Sequence, residues 1–224
     1  MDQLQKQKGK DDFGSRRGSR AVRKFDRGKP LKGTKEEAEA IQRIFKEESR
    51  LYTKIEANEE YLKEQDNSYI LHIATHGIVV KNNEEKEPLL KIALALTGYN
   101  TSIKNQQDYG ILTGLKIASL NLNNTQLVVL SACETAVGNN DNVLGVSSLN
   151  RAFMIAGAKS TIASLWEVED KGTKEFFEHF YQKAKTQMNY AEVFKQTQRE
   201  MYQKNKANKD HPLFWAGFAF FGSA

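Results

Sequence analysis

The 224-residue chain has a single cysteine, Cys133. One thiol excludes an intramolecular disulfide framework and every metal site built from several thiolates. No apolar run approaches the roughly 18 residues that a membrane-crossing helix needs. The opening stretch, MDQLQKQKGKDDF, has no apolar core of a secretory signal. A cytoplasmic location and no membrane partner are therefore expected. Neither G-x-G-x-x-G nor G-x-x-x-x-G-K-[ST] occurs, so the Gly-rich nucleotide cradles are absent. The G-x-S-x-G elbow of serine hydrolases is absent too, which weakens Ser131 as a nucleophile. With 39% hydrophobic and 27% charged residues, the composition excludes disorder throughout. A chain of this length buries roughly 70% of its unfolded surface, enough for a core without staples. One domain with extensions is the simplest organisation.

The charge is unevenly spread. Residues 1–35 carry 12 Lys/Arg against 4 Asp/Glu, and the rest carries 21 against 24. The net +5 thus belongs to an N-terminal arm, and the body is slightly acidic. Residues 1–30 read as a basic, flexible arm or partial domain start. A nucleic-acid tail or a docking segment for a protein are its other readings. No base-reading motif accompanies the arm, and an acidic body argues against a phosphate-binding face, so nucleic acid is not expected as a partner.

The remainder alternates between strand and helix patterns. Residues 34–49 carry Ala38, Ile41, Ile44 and Phe45 at helical spacing, and Thr34 with Glu37 suggests a capping box. Residues 57–64 read as a short helix. Apolar runs at 69–75, 126–131 and 160–165 read as buried strands, and 92–96 as another. Residues 137–145 read as a loop. Helices are predicted over 146–156, 173–184 (with Phe176, Phe177 and Phe180 on the apolar face) and 190–205, before a last strand over 215–221. Strands without strict polar alternation, separated by helices, indicate a layered α/β fold with a mainly parallel sheet.

In such sheets, sites form where strands end at their carboxyl side. Three polar clusters fall there: Thr75-His76-Gly77, Ser131-Ala132-Cys133-Glu134, and Glu167 through Asp170. His76 and Cys133 are 57 positions apart, which suits two different strand ends. A thiol has an ordinary pKa near 8.5 that a neighbouring imidazolium lowers readily. His76 can take that proton and return it to a leaving amine. The N–H groups of Gly77 and Cys133 can together form a two-donor oxyanion hole. Taken singly, Cys133 fits a buried inert thiol and His76 a satisfied core histidine. Their joint position at strand ends favours a dyad. His72 lies on the same side of its strand as His76 but about 13 Å away, and reads as a packing or supporting residue. His179 reads as a helix-surface residue and His211 as part of a turn. No Cys/His/Asp/Glu set completes a metal site, so neither a metal nor any other cofactor is expected.

Several stretches together resemble the CHAT domain family, caspase-like proteins often attached to TPR repeats. They are LKGTKEEAEAI (31–41), ILHIATHG (70–77), YGILTGLKIASLNL (109–122), LVVLSACETAVG (127–138), LNRAFMIAGAKSTIASLWEVED (149–170) and HPLFWAGFAFFG (211–222), in family order over about residues 30–222. The resemblance implies a caspase-like layered fold, shared with gingipains and separase, with residues 31–224 as the peptidase domain. It implies a cysteine endopeptidase whose histidine and cysteine match His76 and Cys133. It further implies that Asp170 matches an acidic residue near the P1 pocket, so that the residue before the scissile bond is Arg or Lys. Glu167 and Glu169 are rivals for that role or ordinary surface carboxylates, and Glu134 is a candidate for ordering the nucleophile loop. Relatives commonly act in regulated proteolysis, which implies a protein substrate and a regulatory or sensor protein such as one with TPR repeats. Family members usually carry another strand and helix ahead of the stretch matching 11–33. Ten residues stand there in this chain, so the arm is expected to replace or truncate a sheet element. The alternative to an enzyme is a catalytically inactive interaction module of the same fold.

Overall fold

Three of the apolar runs become neighbouring strands. In the computed structural model, residues 33–65, 68–79, 86–105, 107, 109–131, 141–166, 168, 170–206 and 216–222 are described. Strands β1 (Ile70–Ala74), β5 (Leu127–Ser131) and β6 (Ser160–Ser164) run parallel, and β7 (Phe218–Gly222) closes the sheet antiparallel to β6, in the order β1-β5-β6-β7. The sheet is mixed, with the parallel strands in the majority as the sequence pattern predicts. Every residue of β5 and β6 is buried, because both faces of those strands are covered.

The alternation of side chains along each strand sorts the core into two halves. Val128, Leu130 and Ile73 point to one face, where they meet Leu149, Ala152 and Phe153 of α5 (Asp141–Ile155). Leu127, Val129 and Ile162 point to the other, where Phe176, Phe177 and Phe180 of α6 (Asp170–Ala184) and Val193 of α7 (Tyr190–Lys206) cover them. Helix α1 (Thr34–Phe45) packs beside α6 on that second face and adds Ile41, Ile44 and Phe45. The result is a three-layer α/β/α arrangement of the caspase-like kind.

A second, antiparallel sheet of β2 (Gly77–Val79), β3 (Ile92–Ala95) and β4 (Ile111–Thr113), in the order β2-β3-β4, joins the first core half through Ile92, Leu94 and Leu112. Of these only β3 is predicted from the sequence. Strands of three residues are too short to show a period. Short helices α2 (Glu59–Lys63), α3 (Tyr99–Asn105) and α4 (Gly114–Ala118) surround it. Glu59 anchors the sheet: it accepts hydrogen bonds from Gly110 N–H at 3.0 Å and from Lys116 Nζ at 3.0 Å, while Lys116 also donates to the Ile111 carbonyl.

Two sequence expectations change. Residues 141–145 form the first turn of α5 rather than a loop, since the weak helix preference of Asn and Gly yields to tertiary context. The capping box at Thr34 is replaced by Gly33 at the cap position, and the Glu37 side chain is turned into the protein.

Helix α5 ends as the Gly157-Ala-Lys159 signal predicts. Gly157 has φ +109°, Ala158 N–H donates to the Phe153 carbonyl and Gly157 N–H to that of Met154, the Schellman pattern. A Cβ on Gly157 would lie 2.5 Å from Asn123 Oδ1 and 2.9 Å from its backbone nitrogen. Gly157→Ala is expected to cost about 1–3 kcal/mol of stability, from positive-φ strain and this contact. The check is urea unfolding, where the midpoint should fall at unchanged slope.

Candidate functional site

The carboxyl ends of β1 and β5 lie side by side. Ile70 pairs with Leu127 and Ala74 with Ser131, a constant offset of 57, and Thr75 N–H continues the ladder to the Ser131 carbonyl at 3.3 Å. At His76 the chain leaves the main sheet and enters the small one. The Ala95 N–H donates to the His76 carbonyl at 2.9 Å, and Thr75 Oγ1 donates to the Ala95 carbonyl. Gly77 follows as the first residue of β2, buried and paired with Leu94. His76 is therefore fixed at a corner held by both sheets.

The half-buried His76 lines a cleft of about 530 Å³, with Tyr52, Asn58, Thr75, Thr97 and Tyr99 among its walls. The walls are held by short-range bonds. Asn58 Oδ1 accepts from Glu60 N–H at 2.9 Å and Tyr61 N–H at 3.0 Å, capping α2. Thr97 N–H donates to the Ala57 carbonyl at 2.9 Å, and its hydroxyl to that of Lys54. A second cleft of about 740 Å³ follows β1 in the other direction and shares Leu71 and His72 with the first.

Beneath the strand ends sits a buried polar network. Glu37 of α1 is only 3% exposed. Its Oε1 is 2.9 Å from His72 Nε2, and its Oε2 accepts from Ser131 Oγ at 3.1 Å. His72 Nδ1 lies 2.9 Å from the hydroxyl of Tyr181, and the imidazole meets Phe177 edge-on at 5.0 Å. Burial, followed by the Glu37 charge, pushes the Tyr181 phenol well above its ordinary value, so it keeps its proton. With a neutral imidazole, the protonated phenol is the donor to Nδ1. The imidazole proton then sits on Nε2 and is donated to Glu37. Both carboxylate oxygens of Glu37, both ring nitrogens of His72 and the hydroxyls of Tyr181 and Ser131 thus have partners, as burial requires.

Of the residues singled out in the sequence, Cys133, Glu134, Glu167, Glu169 and His211 lie outside the described residues, as does Trp215 of the predicted last strand. Asp170 is the first residue of α6. His72, read from the sequence as a packing or supporting residue, packs against Phe177 and bonds to Glu37, and His179 lies on the α6 surface, 3.9 Å from Glu200. Sequence reasoning missed Glu37 and Tyr181. The available signal for Glu37 was its position, four before Ile41 on the apolar stripe, where an acidic residue must find buried donors. Among the described residues, no group of three or more His, Cys, Asp or Glu is arranged to hold a metal ion, and no helix is long and apolar enough to cross a membrane.

Tyr181→Phe removes the donor to His72 Nδ1 and is expected to cost about 1–3 kcal/mol at neutral pH. The raised phenol also sets a pH dependence. An acid held protonated in the folded state contributes stability that is complete below the ordinary phenol value of 10.0 and is lost as the pH rises through the higher folded value. Urea titrations between pH 8 and about 11 should show the parent losing stability more steeply than Tyr181→Phe at the alkaline end.

The chain matches the CHAT domain over residues 9–223. It is also similar to Tetratricopeptide repeat protein 28 of Mus musculus, 34% identical over 117 residues, and to that of Homo sapiens, 33% identical over 115. Each alignment takes in 50% of this chain and 4% of the relative, so the chain spans only a small part of the curated proteins it matches. With a match that runs through both sheets and the helices that cover them, the chain belongs to the CHAT domain family, within the caspase-like superfamily.

Proposed function

We propose that this protein is a cysteine endopeptidase that uses His76 and Cys133 as a dyad and cleaves protein substrates after a basic residue. The observation that carries this reading is the β1–β5 register. The offset of 57 between paired residues equals the spacing from His76 to Cys133, so each stands two positions past the last pair, Ala74 and Ser131. In a parallel ladder, equivalent positions are neighbours.

In this mechanism His76 accepts the Cys133 thiol proton, and the thiolate sulfur attacks the scissile carbonyl carbon. The N–H groups of Gly77 and Cys133 receive the developing oxyanion. Collapse breaks the C–N bond, and the imidazolium gives its proton to the leaving amine. Water, deprotonated by His76, then hydrolyses the thioester. The cleft beside His76 offers room for an extended peptide. Asp170, with Glu169 and Glu167 as rivals, is the group assigned to a basic P1 side chain, since a carboxylate can bind a guanidinium through two parallel hydrogen bonds. Glu134 orders the nucleophile loop. No cofactor enters the cycle. We take residues 31–224 as the peptidase domain and residues 1–30 as a basic arm leading into it, working in the cytoplasm. The similarity to proteins named for tetratricopeptide repeats supports a regulatory partner carrying such repeats.

Cleavage of a peptide library with Arg or Lys at P1 tests the proposal. Cys133→Ala and His76→Ala should each lose at least about 10³-fold in kcat/KM while remaining folded. Asp170→Ala should lose preference for Arg over neutral P1 residues by about 10-fold or more, the scale of one charge-assisted contact. Equal cleavage by the parent and both dyad variants would falsify the assignment. A folded parent that binds a repeat-containing partner but cleaves nothing would favour the inactive module.

A further inference from the structure

We propose that Glu37 is a positioning residue for peptide cleavage, a buried carboxylate that holds the His76-bearing and Cys133-bearing strands in one fixed relation. This rests on the dyad reading above and goes beyond it, because Glu37 bonds to His72 and Ser131, residues outside the dyad.

Three observations converge. First, the two oxygens of Glu37 are divided between the two strands: Oε1 receives Nε2–H of His72 on β1, and Oε2 receives the hydroxyl of Ser131 on β5. Second, those partners lie on the strands that lead into the proposed dyad positions. His72 is four residues before His76, and Ser131 is the last residue of β5 and two before Cys133. Third, the other nitrogen of His72 reaches Tyr181 of α6, the helix that begins at Asp170. One carboxylate from α1 thus connects the three segments that carry the nucleophile, the base and the proposed P1 acid.

The surroundings make this connection stiff. Glu37, Ser131 and Tyr181 are each at most 3% exposed, so water does not compete for their bonds. The imidazole is held edge-on by Phe177 and tilted against Tyr181. A carboxylate accepts at both oxygens. An amide of the same shape accepts at one and presents N–H donors at the other, so it meets Nε2–H or the Ser131 hydroxyl differently. Glu37→Gln therefore alters the strand link with little change of volume. A group that keeps reacting atoms aligned shows itself in kcat, since a displacement of about 1 Å can cost about 10²-fold.

The test measures kcat and KM on a fluorogenic peptide with Arg at P1 for the parent, Glu37→Gln, Ser131→Ala and the double variant. Circular dichroism and a thermal melt establish the folded fraction at the assay temperature. Glu37→Gln should lower kcat about 10- to 100-fold with KM within about two-fold. Ser131→Ala, which removes one hydroxyl, should lower kcat about 3- to 10-fold and serves if Glu37→Gln does not fold. The double variant should be no slower than Glu37→Gln, because both changes break the same link. Folded variants with the parent's kcat, or losses carried by KM, overturn the positioning role while leaving the dyad intact. A folded parent that does not cleave, with Cys133→Ala indistinguishable from it, overturns the dyad and the positioning role together.

Discussion

A carboxylate shut away from water is stable only where donors surround it. Glu37 meets that condition by drawing together parts of the chain far apart in sequence: α1, the strand ending before His76, the strand ending before Cys133, and α6 through His72 and Tyr181. Much of the molecule's arrangement follows from that requirement. Helix α1 must lie on the α6 face of the sheet, β1 must present His72 to that face, and β5 must end with a hydroxyl there. The aromatic packing of Phe176, Phe177 and Phe180 supplies the dry surroundings in which these bonds are strong.

The other face of the sheet has a different task. Strand β1 does not end in an ordinary loop. It passes through Thr75 and His76 directly into a second sheet, whose own rigidity comes from Glu59, Lys116 and the backbone of Gly110 and Ile111. The corner at His76 is consequently constrained on both sides, and the neighbouring cleft has walls tied by backbone and side-chain bonds. A site held by elements of secondary structure on both sides is better suited to fixed geometry than one on a free loop.

The sequence made the large elements legible because burial on both faces leaves continuous apolar runs. LVVLS and STIAS needed no neighbour to be recognised as strands, and Phe176, Phe177 and Phe180 announced the inner face of α6. The 57-residue spacing of His76 and Cys133 was also readable, and it equals the offset between the paired residues of β1 and β5 on which the proposed dyad is built. The three-residue strands β2 and β4 escaped detection because they depend on pairing partners rather than on their own pattern. Glu37 was misread for a related reason. A Glu three residues after a Thr has the local signature of a cap, yet its side chain answers to strands 35 and 94 residues away. Local rules describe a polar residue's nearest options, and tertiary contacts choose among them. The roles proposed for Cys133, Glu167 and Glu169 follow from the sequence and from the strands that lead to them.

The integer offset between β1 and β5 has an evolutionary corollary. Side chains alternate between faces with each residue, so adding or deleting a single residue within either strand would turn His72 away from Glu37 and exchange the apolar sets of the two core halves. Changes of length in the connections between β2, β3 and β4 carry no such penalty, since loop closure depends only weakly on length. Insertions inherited by descendants of this chain therefore belong in those connections, and the count from paired position to strand end is the quantity that descent must preserve.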